Sequence, residues 1–455
     1  MKTPIAVFWI CMALGGAASA QEAKSSKEEH TAKEEEKTLT LDEALQLALK
    51  HNHNVRLAAY RVEESQHEKD AARSSYYPSL RNDTTAGRLT DTQFIALDKG
   101  SLGTAVGTPI PEGTAIINQG GLTFVASGTQ LTQPILELWK VRAANDAAAA
   151  GTKAMRDKAQ DTENQVALQV HQLYYKVLIL QTRRAAAQAK IRANEDLGTE
   201  RTQQVKYGAS LERESIQARA QTLDARQELL STELQLSDAV TQLNDVVGLP
   251  LRTQLVLDPA VEKTREECER EECLKAALRS HPEIREAQAE VEKASAGVRF
   301  AKRQYIPDLE AFARYSYQDN IPFLARNFGT FGVHFQYDLF DGGKRNAEIG
   351  ERKAQLAQAE ENLARMKDDV EVRIQTIYNK RERTKEMLKV SEELVALRTE
   401  VHRVAVQQLR EGAAMPSQVD DATAQELNAK TALLESQLEY LEAQDEMLEA
   451  EGVTP

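Results

Sequence analysis

The hydrophobic positions of this chain follow two periods, kept in separate stretches. Between residues 330 and 339 the alternation is strict. Phe331, Val333, Phe335, Tyr337 and Leu339 fall on one face, Thr330, Gly332, His334, Gln336 and Asp338 on the other. Period two predicts a strand with one apolar and one polar face. Upstream, Leu309, Ala311, Ala313, Tyr315 and Tyr317 form one face, and Glu310, Arg314, Ser316 and Gln318 dominate the other. The two strands read as a hairpin over about 309–341, which Asp341-Gly342-Gly343 ends. Beyond it the apolar positions step by three and four residues, as in Leu363, Met366, Val370, Ile374 and Ile377. That is the spacing of a packed helix.

The same helical pattern predicts a helix from Leu138 to Tyr207, a return helix over roughly Leu211–Val247 and a shorter one over 53–76. A second set covers 344–410, 414–451 and 282–305. At 1.5 Å per residue the first three span about 105, 55 and 36 Å. Two short helices stacked end to end therefore nearly equal one long helix, and the sets are predicted to run side by side.

The two sets are copies. Displaced by 229 residues, segment 41–80 lies on 270–309 without a gap, and Glu43, Leu45, Ala48, Arg56, Val62, Tyr76, Pro78 and Leu80 meet identical residues. Displaced by 204, residues 132–248 lie on 336–452, so that Lys140, Val166, Tyr174, Gly208 and Gly248 meet Lys344, Val370, Tyr378, Gly412 and Gly452. The offsets differ by 25 residues, which places an insertion of that length between Leu80 and Thr132, in a Gly/Pro-rich stretch read as a loop. Chance matching of helical alanines does not hold Pro, Tyr and Gly in two gapless registers; this is internal duplication. The first repeat covers 41–248, with strands about 79–134 and a helical hairpin about 138–247 whose tip is near 208. A linker covers 249–269. The second repeat covers 270–452, with strands about 309–341 and a hairpin about 344–451 whose tip is near 412. The first strand pair alternates poorly and is assigned through its copy.

What precedes the repeats sets the address. Lys2, the apolar run Ile5–Leu14 and Ala18-Ser19-Ala20 make a secretory signal over 1–20. Residues 21–40 are rich in Glu and Lys with almost nothing apolar, and read as a charged disordered leader. No later run of about eighteen apolar residues is present to cross a bilayer as a helix. The net charge is −13, or −14 once Lys2 leaves with the signal. An acidic exported chain offers no footprint for nucleic acid.

Cys11 lies in the signal. For Cys268 and Cys273 a short-loop disulfide and two unpaired structural thiols both fit, the thiols slightly better, while zinc wants more ligands than the neighbourhood supplies. No G-x-S-x-G, H-E-x-x-H or phosphate loop occurs, so no enzyme is expected. The eight histidines are dispersed. His51 and His53 read as solvent-facing and His334 as a lone imidazole, and no cofactor or metal is expected.

In an exported chain with no amphipathic helix left to cover it, a two-faced strand of about ten residues fits the wall of a transmembrane barrel, lipid outside and water inside. Four strands do not close a barrel, since these start at about eight. The chain must therefore associate, and closure alone admits two, three or four copies.

The segments LDEALQLALKHNHNVRLAAYRVE and CLKAALRSHPEIREAQAEVE, the strand beginnings YYPSL and YIPDL, DLFDGGKR and the paired Gly turns together resemble the TolC family of outer-membrane efflux ducts over about residues 39–452. The resemblance implies a mainly α fold with a β-barrel part: long coiled-coil hairpins forming an α-barrel tunnel, continuous with a trimeric twelve-stranded transmembrane barrel to which each protomer gives four strands. It implies a passive exit duct of a tripartite efflux or type I secretion system in the cell outer membrane, with a large periplasmic portion. Its implied partners are two further copies of itself, outer-membrane lipid, a periplasmic adaptor (membrane fusion protein) and an inner-membrane pump of RND, ABC or MFS type.

Carried onto this chain, the resemblance places lipid against Phe331, Val333, Phe335, Tyr337 and Leu339. It places adaptor docking at tip residues Gly208, Ala209, Ser210, Gly412, Ala413 and Met415, and a periplasmic aperture at Asp421; the family's other acidic position falls on Gln418, with Asp420 adjacent, and the first tip offers Glu214 and Glu212. The tip glycines suit a reversal that needs positive φ, and Pro416 suits the first turn of a returning helix. Acids in first helical turns also complement the helix dipole, a reading of equal weight. Some family members carry an arginine at the second tip; this chain has Ala414, so a salt-bridged latch there is built differently or absent. Two rival functions fit less of the pattern. A periplasmic adaptor needs a lipoyl-like β domain interrupting one hairpin, and a secreted coiled coil has no use for the alternation at 331–339.

Overall fold

Each long helical stretch is continuous in a computed structural model, which describes residues 37–91, 94–118, 121–259, 268–321 and 325–455. The signal at 1–20 and most of the leader lie outside the described residues. In chain order the elements are β1 (Lys37–Leu39), α1 (Leu41–His51), α2 (His53–Ser74), β2 (Ser79–Arg88), β3 (Phe94–Leu97), β4 (Thr104–Ala105), β5 (Thr108–Pro109), β6 (Ala115–Asn118), β7 (Thr123–Pro134), α3 (Leu138–Lys206), α4 (Glu212–Val247), β8 (Leu255–Leu257), α5 (Arg270–Ser280), α6 (Pro282–Arg303), β9 (Asp308–Asp319), β10 (Asn327–Gln336), α7 (Lys344–Arg410) and α8 (Pro416–Ala450).

α3 and α7 run 69 and 67 residues, about 100 Å each. α3 packs along α2 and α6 over one part of its length and along α4 and α8 over another, while α7 packs on α6 and α8. Small residues line these seams, among them Ala143, Ala154, Ala167, Ala289, Ala296 and Ala443, all buried, so the helix backbones approach closely.

The short helices meet end to end at glycines. Gly248 ends α4 at φ 79°, and a Cβ built there would lie 2.6 Å from the His51 Cβ. Its copy Gly452 follows α8 at φ 82°, where a Cβ would lie 2.7 Å from the His281 Cα. Only glycine fits such a conformation and so close an approach. The helices that start at these joints are capped alike. The Asn52 side chain accepts from Asn54 N at 2.8 Å, and His281 Nδ1 accepts from Glu283 N at 3.2 Å. Two apolar cores flank the joints. One gathers Leu39, Val166, Val170, Tyr174, Val177, Leu243 and Val247; the other gathers Cys273, Ile284, Val370, Ile374, Ile377 and Met447.

Four points differ from the sequence expectation. The leader does not stay unstructured to residue 40: β1 pairs in parallel with β8 inside the linker, Leu39 against Leu257. One buried leucine and a carbonyl received by Tyr174 outweigh the charged composition there. The 25-residue insertion is not an irregular loop, because β3 pairs with β6 and β4 with β5; those strands are too short to show a period. Cys268 and Cys273 form a disulfide. β10 ends at Gln336, so Tyr337 and Leu339 lie beyond the strand.

Candidate functional site

The four long strands make one antiparallel sheet in the order β10-β9-β7-β2. Its register decides which side chains share a face. Phe331, Val333 and Phe335 lie opposite Ala313, Ala311 and Leu309, and Leu131 lies opposite Ala313 and Leu80. This side is uncovered: Phe331 is 88% exposed, Val333 65% and Phe335 61%. Across β7 and β2 the same face carries Asn82, Thr84, Ser127 and Thr129, and these bond one another. Asn82 Nδ2 donates to Thr129 Oγ1 at 2.8 Å and to Ser127 Oγ at 3.3 Å, and the Thr84 and Ser127 hydroxyls lie 2.8 Å apart. Such lateral pairing lowers the cost of turning polar groups to an apolar medium. The opposite face carries Arg81, Asp83, Gln130, Glu310, Arg314 and His334, with Arg314 folded over Gly128. One edge is β10 and the other β2, neither paired along its outer side among the described residues.

Exposed aromatics mark where strands meet helices. Tyr77 precedes β2, Trp139 follows β7, Tyr305 precedes β9 and Phe340 follows β10. Aromatic girdles of this kind sit at membrane–water interfaces. Tyr337 belongs here: the Arg345 guanidinium lies 5.5 Å from its ring and 4.9 Å from the Tyr305 ring. Asp341 builds the start of α7. It accepts from Gly343 N at 3.0 Å, Arg345 N at 3.1 Å and Arg345 Nε at 2.6 Å, and these bonds, the Arg345 side chain first, hold its carboxyl down at about 2.

The two hairpin tips have one geometry. Gly208 (φ 70°) donates to Val205 O at 3.0 Å and Ala209 N donates to Gln204 O at 2.8 Å. Gly412 (φ 73°) donates to Leu409 O at 3.1 Å and Ala413 N donates to Gln408 O at 2.8 Å. Both are Schellman closures, and space around both glycines is open. At the second tip Met415 is exposed, and its N–H donates to Gln418 Oε1 at 3.0 Å.

The four acids assigned to the aperture do not share one environment. Glu214 is tied into its own tip, accepting from Ser210 Oγ at 2.5 Å and lying 3.7 Å from Arg201. Glu212 is exposed in the first turn of α4. Asp421 is exposed and accepts from Gln425 Nε2 at 2.7 Å. Asp420 turns to Asp196 of α3, and burial, then that second carboxyl, raises it above the usual carboxylate range. Asp196 was not singled out in the sequence, since nothing local marks a residue that α8 brings close.

A belt of buried charge at the helix joints was also missed. Arg373 of α7 reaches Glu283 of α6 at 3.2 Å and Glu449 of α8 at 3.8 Å. Asp161 of α3 sits among them; burial, then Glu283 and Glu449, push it up to about 7. One Asp161 oxygen is buried without a hydrogen-bond partner. The signal available was polar residues interrupting an apolar stripe, as Asn164 and His171 do on α3. Because the folded pKa lies above the free-chain value, Asp161 costs nothing well below pH 4, and stability is lost as pH rises from there through about 7. Asp161→Asn should remove that loss, on the order of 1–2 kcal/mol after discounting for its partial exposure. Urea midpoints at pH 3.5, pH 5 and pH 8 check this: the gain of the variant over the wild type should be near zero at the lowest pH, small at pH 5 and largest at pH 8.

The Outer membrane efflux protein family profile matches residues 44–249 and 273–453, one segment for each repeat. The chain belongs to that family. Its place is the outer membrane, with a large periplasmic portion. The fold is that of solved channels. The Campylobacter jejuni CmeC outer membrane channel superposes with a TM-score of 0.74 at 17% identity, over 90% of this chain and 85% of that one. VceC from Vibrio cholerae gives 0.69 at 17% identity, over 91% and 96%. The open state of the Neisseria gonorrhoeae MtrE channel gives 0.67 at 17% identity, over 91% and 89%. Among curated protein sequences none matches.

Proposed function

We propose that the protein is the passive exit duct of a tripartite efflux or type I secretion assembly, formed by three copies that close a twelve-stranded barrel. The observation that carries this reading is the four-stranded sheet with an uncovered apolar face and two unpaired edges, set on helices about 100 Å long. Edges β10 and β2 have ten residues each and suit one another across copies. The polar inner face continues the route, and a pump and a periplasmic adaptor supply energy and cargo from below. The tips at Gly208–Ser210 and Gly412–Met415 receive the adaptor, because they are exposed, duplicated and held in one geometry. Asp421, exposed at the start of α8, lines the aperture; Asp420, turned to Asp196, stiffens it.

The test reconstitutes the purified protein in planar bilayers and weighs it in native detergent complexes. Ion-conducting particles of three copies are expected; a non-conducting protein, or a complex of two or four copies, overturns the duct as drawn. Gly208→Val and Gly412→Val strain one exposed reversal each by about 1–3 kcal/mol and should leave conductance intact. Cross-linking to the adaptor and efflux in cells should fall together. Survival of both in the double variant would place docking elsewhere.

A further inference from the structure

The disulfide occupies a position that the first repeat fills differently. Displaced by 229 residues, Cys268 lies on Leu39 and Cys273 on Ala44. Leu39 is pinned by β1–β8 pairing, and its carbonyl lies 3.0 Å from the Tyr174 hydroxyl. In the second repeat the position of Leu39 is taken by Cys268, which lies outside any strand. There the Cys268–Cys273 disulfide joins the residue before the α5 N-cap to the first turn of α5. The carbonyl of Cys268 is received not by a tyrosine but by Arg381, whose Nη1 and Nη2 both lie at 3.3 Å. Arg381 occupies the position of buried Val177 under the 204-residue displacement. It is itself buried, with its guanidinium 4.7 Å from the Tyr378 ring. Arg381 Nη2 also reaches Glu382 Oε1 at 3.3 Å, so the carbonyl beside the disulfide is one of the partners of a buried cation.

The surroundings also fit the reduced form. Glu451, at the end of α8, places Oε1 3.0 Å from Cys268 Sγ, an acceptor that only a thiol uses. Cys268 is half-exposed, whereas Cys273 is buried, so an incoming thiolate reaches Cys268 Sγ first.

We infer that Cys268–Cys273 is a reversible thiol–disulfide clip that does for the second repeat what the β1–β8 strand pair does for the first. A dithiol reductant opens it. One thiolate attacks Cys268 Sγ, forming a mixed disulfide and expelling Cys273 as a thiolate, which takes up a proton. The reductant's second thiolate then displaces Cys268, so two electrons pass to the protein and the reductant leaves as its own disulfide. Cys268 as a thiol donates to Glu451, its carbonyl is freed from Arg381, and the joint of α6 and α8 loosens in one repeat only. A disulfide oxidant reverses the exchange. This rests on the periplasmic location and not on the duct reading.

Hydrogen exchange of the full-length protein in lipid bilayers, with and without dithiothreitol, tests it, the first repeat serving as internal control. Peptides covering 268–281 and 377–384 should exchange on the order of 10- to 40-fold faster when reduced, from the closure entropy of so short a loop. Peptides covering 39–52 and 173–180 should not change, and oxidised glutathione should restore protection. Cys268→Ser/Cys273→Ser should behave as the reduced protein and ignore dithiothreitol. Alkylation of either cysteine without prior reduction, equal loosening of both repeats, or unchanged exchange in the second repeat would overturn the clip.

Discussion

Val333→Arg should leave little protein assembled in the outer membrane, while His334→Arg, one residue along, assembles normally. Val333 lies mid-strand on the uncovered apolar face, opposite Ala311. An arginine there costs about 2–4 kcal/mol near the bilayer midplane, and closure by three copies would apply that cost three times. His334 pairs with Glu310 on the polar face, where a guanidinium finds water and a carboxylate. The folded fraction in isolated outer membranes, read from heat-modifiable gel mobility, separates the two. Equal assembly of both variants would mean that neither face of β10 meets lipid, and the reverse order would mean that the faces are assigned the wrong way round.

Asp445→Ala should be the most damaging single change in the helical part. His171 Nδ1 lies 2.6 Å from Asp445 Oδ2, and the Tyr175 hydroxyl donates to the same oxygen at 2.8 Å, all three side chains being buried. Removing the carboxylate takes a hydrogen-bond partner from His171 and from Tyr175 between α3 and α8, and leaving a buried polar group unsatisfied costs about 1–3 kcal/mol. The urea midpoint should fall with an unchanged slope. His171→Leu added to Asp445→Ala should recover part of the loss, since the orphaned imidazole is then gone. A midpoint within error of the wild type would show that the network contributes nothing to holding the repeats together.

The two periods made the fold readable because each reports burial directly. The strand face of β10 and the stripe Val370, Ile374, Ile377 on α7 carry their partners in their spacing. The first hairpin hid because its outward positions are Asn82, Thr84, Ser127 and Thr129, which satisfy one another laterally; alternation in hydropathy vanishes while alternation in space remains. Alternation also ran past the true end of β10, since Tyr337 is apolar for a different reason, its stack with Arg345. The candidate aperture was only partly legible. Asp421 follows from its place in the helix, but the contact of Asp420 with Asp196 joins two repeats, and no local pattern reports such a contact. The disulfide was ambiguous for the same reason: its equivalence to a strand pair is visible only when both repeats are folded.

Gly208 and Gly248 are separated by the same number of residues as Gly412 and Gly452, because the 204-residue register from 132 to 248 has no gap. Both hairpins therefore descend equally far below the joints, and in a ring of three copies six tips finish flush. Such a rim can be capped by a flat partner surface. Adding one helical turn to both arms of a single hairpin would lower that tip by about 5.4 Å and leave alternate steps around the rim, so length changes in one repeat must be matched in the other if the seal is to hold.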